Sequence, residues 1–91
     1  MSDEIALRKA MDLGAKAEIE LNAPAVSDAF KALEAKHVLA WRNSDPRDNE
    51  GRELSWLALK ALDGVRAELM AAINDGKIAK AELDQGDPLG R

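Results

Sequence analysis

The stretch Trp41-Arg42-Asn43-Ser44-Asp45-Pro46-Arg47-Asp48-Asn49-Glu50-Gly51-Arg52 decides the fold. Pro46 forces Asp45 away from helical geometry, and residues 44–49 are turn formers almost throughout. Asp48 or Asn49 is placed to cap a following helix. Helical patterns lie on both sides of this short break, so the flanking helices are expected to be antiparallel neighbours.

Upstream, Val26, Phe30, Leu33, His37 and Trp41 recur at spacings of three and four, the signature of one helix face. Ala40 and Ser44 extend that stripe, while Lys31, Glu34 and Lys36 fall on the other side. Pro24 fits the first turn of this helix, where its missing N–H is not needed. The helix is predicted from about residue 24 to about residue 43.

Downstream, a third helix is predicted over about residues 50–74. Leu54, Ala58, Ala61, Leu62, Val65, Leu69, Ala72 and Ile73 form a continuous apolar face. Trp56, Leu59 and Met70 form a second stripe, which one partner helix cannot also cover. That stripe, with alanines at 58, 61, 67, 71 and 72 permitting close approach, predicts a third helix or another subunit there; Leu59 and Met70 are the candidate oligomer-interface residues. Asn74-Asp75-Gly76 is read as the end of the helix, with Gly76 as a left-handed cap. A short last helix follows over residues 77–85, with Ile78 and Leu83 as its apolar contacts, then a frayed tail, Gly86-Asp87-Pro88-Leu89-Gly90-Arg91.

At the N-terminus, Ser2 can cap a first helix, with Asp3 and Glu4 favourably placed against its dipole. Gly14 either ends that helix or lets it run on to Leu21, before Asn22-Ala23-Pro24. The predicted fold is therefore all-α: an antiparallel two-helix hairpin over about residues 24–74, with short N- and C-terminal helices, in a single helical domain of residues 1–85. Folding the hairpin about Arg47 places Trp41 near Glu53 and Leu54, His37 near Trp56 and Leu57, and Phe30 near Gly64. The last pairing gives Gly64 a packing role. No internal repeat or low-complexity segment stands out.

Composition agrees with helix and bounds function. Ala, Leu, Glu, Lys and Arg dominate, and Phe30 is the only phenylalanine among 91 residues. No cysteine is present, which excludes disulfides and thiolate metal sites, and a single histidine excludes an all-histidine site within one chain. A small domain without such staples is expected to oligomerise. The net charge of −4 argues against a general nucleic-acid coat. No apolar run approaches the roughly 20 residues of a membrane span. The charged start disfavours a secretory signal, so a cytoplasmic location is expected, or the host cytoplasm if the chain is phage-encoded.

Three constellations could carry chemistry. Trp41 and Trp56 fall near the turn, with Arg42, Arg47 and Arg52 around the same end and His37 one turn below Trp41. Indoles stack on nucleobases and guanidinium groups hold phosphates through paired hydrogen bonds, so a small anionic nucleotide fits these five residues. The competing reading has both tryptophans closing the end of a thin core and the arginines paired with Asp45, Asp48, Glu50 and Glu53. Glu34-Ala35-Lys36-His37 places a carboxylate and an imidazole on one helical face, as in di-iron bundles, but the residues opposite, Trp56, Leu57 and Leu59, supply no further carboxylate. Ser2, Ser27, Ser44 and Ser55 have no histidine–carboxylate arrangement, and no glycine-rich phosphate loop occurs. An enzyme is not expected, and no metal or cofactor is implied.

The pattern Trp41-Arg42, Asp45-Pro46-Arg47, Arg52-Glu53, Trp56, Leu62, Val65-Arg66, Leu69 resembles small helical-hairpin proteins of tailed bacteriophages, over about residues 26–83. Among these, the chain is similar in size and architecture to anti-CBASS sponge proteins. That resemblance implies an oligomer that sequesters a cyclic oligonucleotide defence signal without catalysis. It supplies no site residue; the ligand-binding candidates are Trp41, Arg42, Arg47, Arg52 and Trp56, from chemistry alone. Two other readings stand beside it: a protein–protein inhibitor, such as an anti-CRISPR or host-factor blocker whose acidity imitates nucleic acid, and a minor phage assembly component. The expected partners are the chain itself and either a small anionic nucleotide or a host defence protein.

Overall fold

The computed structural model describes residues 2–85; the expected tail, residues 86–91, lies outside the described residues. It is all-α, with three helices: α1 (Ser2–Asn22), α2 (Pro24–Asn43) and α3 (Asn49–Gln85). Two sequence expectations are corrected. The N-terminal helix is not a short addition, because α1 has 21 residues; of the two alternatives at Gly14, the helix runs on past it to the Asn22-Ala23-Pro24 break. The C-terminal helix is not separate, because α3 continues for 37 residues through Gly76, which is helical rather than a cap.

The chain forms two compact units: Asn22–Ala67, and Met1–Leu21 with Glu68–Arg91. In the first, Ala23 adopts an extended conformation ahead of Pro24 and offers no side-chain cap. At the other end of α2, the Ser44 hydroxyl donates to the Trp41 carbonyl at 2.6 Å, and the Ser44 N–H donates to the same oxygen at 3.3 Å. These bonds serve a carbonyl that the helix end leaves without an intrahelical donor. The turn is then fixed by two carboxylates. Asp45 Oδ1 accepts the Arg47 N–H at 2.8 Å. Asp48 Oδ1 accepts the Gly51 N–H at 2.9 Å, while the Asp48 carbonyl accepts the Arg52 N–H at 3.1 Å. Asp48 is therefore the cap of α3, bonding three residues into the first turn.

Two helices alone make a thin layer, since each apolar side chain keeps a flank in water. No residue of α2 is buried. On the facing part of α3 only Ser55 is buried; Phe30, His37, Leu62 and Ala58 are half-buried, and Leu33, Leu54 and Val65 are exposed. The antiparallel register follows from three contacts: Arg52 lies over Trp41, whereas Arg66, further along α3, reaches back to Phe30 and Glu34. The predicted pairing of Phe30 with Gly64 is corrected. Gly64 is exposed, and a Cβ built there meets nothing within 4 Å. The Arg66 guanidinium covers the ring instead, at 5.1 Å from its centroid.

In the second unit, α1 packs on residues 68–85 of α3. Gly14, Ala17, Ile73, Gly76 and Ala79 are buried there, with Ala79 only 2% exposed. A Cβ on Gly14 would stand 2.6 Å from the Ala72 carbonyl oxygen, so the two backbones touch where the helices cross. Glycine in a helix interior costs about 1 kcal/mol against alanine. Here tertiary packing offsets that, which is why neither Gly14 nor Gly76 ends its helix.

Candidate binding surface at the hairpin turn

The five predicted ligand-binding residues belong to the unit Asn22–Ala67. Trp41 closes α2, and Trp56 lies in the second turn of α3. Neither is a core plug: Trp41 is 44% and Trp56 52% exposed, which corrects the reading in which they seal a thin core. The Arg52 guanidinium stacks over the Trp41 ring, 5.2 Å from its centroid. Trp56 is covered by a different cation, Lys60 one turn further along α3, at 5.5 Å. Among the described residues the two indoles make no ring contact with each other.

Arg42 and Arg47 are exposed, and among the described residues neither guanidinium forms an ion pair. Of the four acids expected to pair with the arginines, Asp45 and Asp48 accept backbone N–H groups of the turn, and among the described residues Glu50 and Glu53 form no ion pair. Turn chemistry thus occupies one oxygen of each aspartate, and Arg52 is the guanidinium that lies over the half-exposed Trp41 ring. A cation over an exposed ring contributes about 0.5–1 kcal/mol, so a ligand base can replace Arg52 on Trp41 at modest cost. The structure brings Trp41 and Arg52 together and places Trp56 with Lys60; among the described residues Arg42 and Arg47 form no ion pair.

Of the two oligomer-interface candidates, Leu59 is half-buried in the same unit, and Met70 is exposed in the unit that contains α1. The Glu-x-x-His pair is divided in role. Glu34 Oε1 accepts Arg66 Nη1 at 2.7 Å, while His37 is half-buried one turn on. No cluster of three or more metal-ligating side chains occurs among the described residues. Sequence reading missed Arg66, which joins Phe30 and Glu34 through one guanidinium. The signal was present as an aromatic and a carboxylate four apart on α2, facing an arginine that the helical pattern places at the edge of the apolar face. A cleft of about 260 Å³ opens in the other unit, where Met11 and Glu18 of α1 face Ile73, Lys77 and Lys80 of α3.

No family model matches the chain, and no curated protein or solved structure is significantly similar to it. The candidate surface therefore rests on its own chemistry. Among the described residues, no helix is long and apolar enough to cross a membrane.

Proposed function

We propose that this chain is a non-enzymatic binding protein of the phage counter-defence kind, a homo-oligomer that sequesters a small cyclic oligonucleotide. The observation that carries the reading is the Trp41–Arg52 pair, a half-exposed indole with a guanidinium already stacked on it. A nucleobase stacks on such a ring, and phosphates take paired hydrogen bonds from guanidinium groups like those of Arg42, Arg47 and Arg52. Trp56, with Lys60 on its face, offers a second ring and cation of the same kind.

The oligomeric part is supported by the hairpin's thin core. α2 buries no residue, and Leu33, Leu54 and Val65 on the hairpin are exposed, so a second copy would remove a large apolar area from water. Native mass spectrometry of gently purified protein is the test, followed by calorimetric titration with cyclic di- and trinucleotides. An oligomer carrying extra mass that is lost on denaturation supports the proposal. A ligand-free monomer that gives no heat with any of them overturns it.

One observation favours a second reading. The exposed apolar side chains of the hairpin, on a chain of net charge −4, also suit a protein–protein inhibitor that occupies a basic cleft. Capture of one defined host protein at fixed stoichiometry, with no small-molecule binding, decides for that reading.

A further inference from the structure

The expectation of no internal repeat is corrected in one respect: residues 7–22 of α1 and 69–84 of α3 share the same pattern of core residues. Aligned without gaps, Leu7, Ala10, Gly14, Ala17 and Leu21 fall on Leu69, Ala72, Gly76, Ala79 and Leu83, and Met11 falls on Ile73. Burial repeats with the sequence. Gly14 and Gly76 are buried, as are Ala17 and Ala79, while Leu7, Ala10 and Leu21 are half-buried like Leu69, Ala72 and Leu83.

The contacts are reciprocal. A Cβ on Gly14 would meet the Ala72 carbonyl oxygen and the Gly76 Cα; one on Gly76 would meet the Ala10 carbonyl oxygen and the Gly14 Cα. Ala10 and Ala72 are themselves equivalent positions. The cleft beside the crossing follows the same rule, since Met11 and Glu18 line it from α1 and their equivalents, Ile73 and Lys80, line it from α3. Residue i meeting j while j's equivalent meets i's is the pattern of a local two-fold axis, the geometry of an isologous contact.

An isologous face fits a copy of itself. We propose that the 69–83 face of α3 is a self-recognition surface, which takes the same segment of a second copy of this chain when α1 is displaced. Among the core positions, replacing α1 by a second 69–83 segment changes only Met11, to isoleucine, and keeps the glycine crossing. Charge breaks the symmetry. Glu18 Oε2 lies 3.7 Å from Lys77 Nζ, whereas the residue equivalent to Glu18 is Lys80, which would set like charges together in the α3–α3 pair. Glu18 thus favours the internal partner over the external one, a repulsive element built against the alternative pairing. Tethering α1 to the same chain adds effective concentration in its favour.

The full-length chain tests this, with Ile73→Cys as its only cysteine. That position is buried beneath α1, so a short bismaleimide joins two chains through it when 69–83 meets 69–83 of the partner. Adding Glu18→Lys and Lys80→Glu repels α1 from Lys77 and attracts the second α3 segment. Cross-linked dimer is expected to rise about tenfold at equal concentration, and the gain to fade in high salt. A chain of unchanged helicity with no rise overturns the proposal. If the charge reversal costs helicity, Glu18→Gln, which removes the charge attraction to Lys77, decides on the same readout with a smaller rise. Because hairpin association would also bring two residues 73 together, the rise is measured again with Leu39→Lys and Leu57→Lys added on the exposed hairpin surface; a rise that persists assigns the contact to the 69–83 face, and one that vanishes overturns the proposal.

Discussion

A Cβ placed on Gly14 would stand 2.9 Å from the Cα of Gly76, and one placed on Gly76 would stand 3.0 Å from the Cα of Gly14. Each glycine is the condition for the other's position. Gly14→Ala gains helix propensity of about 1 kcal/mol but drives a methyl group into backbone that no side-chain rotation can clear. We expect a net loss of about 1–2 kcal/mol for Gly14→Ala and a similar but smaller loss for Gly76→Ala. Urea unfolding followed by circular dichroism measures both, and a stabilised Gly14→Ala chain would mean that the helices do not cross there.

Gly64 predicts the opposite sign. It lies in the interior of α3, exposed, with open space where a Cβ would go. Gly64→Ala should stabilise the chain by about 0.5–1 kcal/mol, through helix propensity alone. Destabilisation in the same unfolding experiment would restore the packing role that the sequence suggests for this residue.

Asp48 holds the start of α3 through the Gly51 N–H. Asp48→Ala removes that acceptor and should cost about 1 kcal/mol, whereas Asp48→Asn keeps an acceptor oxygen and should cost much less. Amide hydrogen exchange gives the sharper readout, with faster exchange confined to the first turn of α3. Equal losses for the two variants would show that charge, rather than the hydrogen bond, matters at this cap.

Arg66 joins α3 to α2 through Glu34 and Phe30, with both charged side chains only partly exposed. A double-mutant cycle of Arg66→Met and Glu34→Gln should give a coupling of about 0.5–1 kcal/mol that weakens with salt. Arg66→Met alone should lose more than Glu34→Gln, because it also uncovers the Phe30 ring. No measurable coupling at low salt would place the pair among surface contacts without energetic weight.

Leu39 and Leu57 are exposed on the hairpin, at 58% and 48%. Leu39→Lys with Leu57→Lys should therefore change unfolding free energy of the single chain by about 0.5 kcal/mol or less. If self-association uses the hairpin surface, the mass measured by light scattering should fall. An oligomer of unchanged mass would move the interface elsewhere on the molecule.

The sequence by itself determined α2, the start of α3 and the turn between them. Pro24, the Ser44–Asn49 break and the cap at Asp48 act over a few residues, through backbone geometry and hydrogen bonds that need no distant partner. Folding the chain about Arg47 also gave the antiparallel register to within about one turn, since Arg52 lies over Trp41 and Arg66 over Phe30. Only the tertiary structure decided the roles of the glycines and the tryptophans. Gly14, Gly64 and Gly76 carry the same local penalty in any helix; whether another backbone lies against them depends on residues far away in the chain, and the answer was α3 for Gly14, α1 for Gly76 and open space for Gly64. Exposure of Trp41 and Trp56 likewise depends on how much a two-helix layer can enclose, which no local pattern records. The likeness between residues 7–22 and 69–84 was written in the sequence throughout, yet it gained meaning only when the fold set the two segments face to face about their glycines.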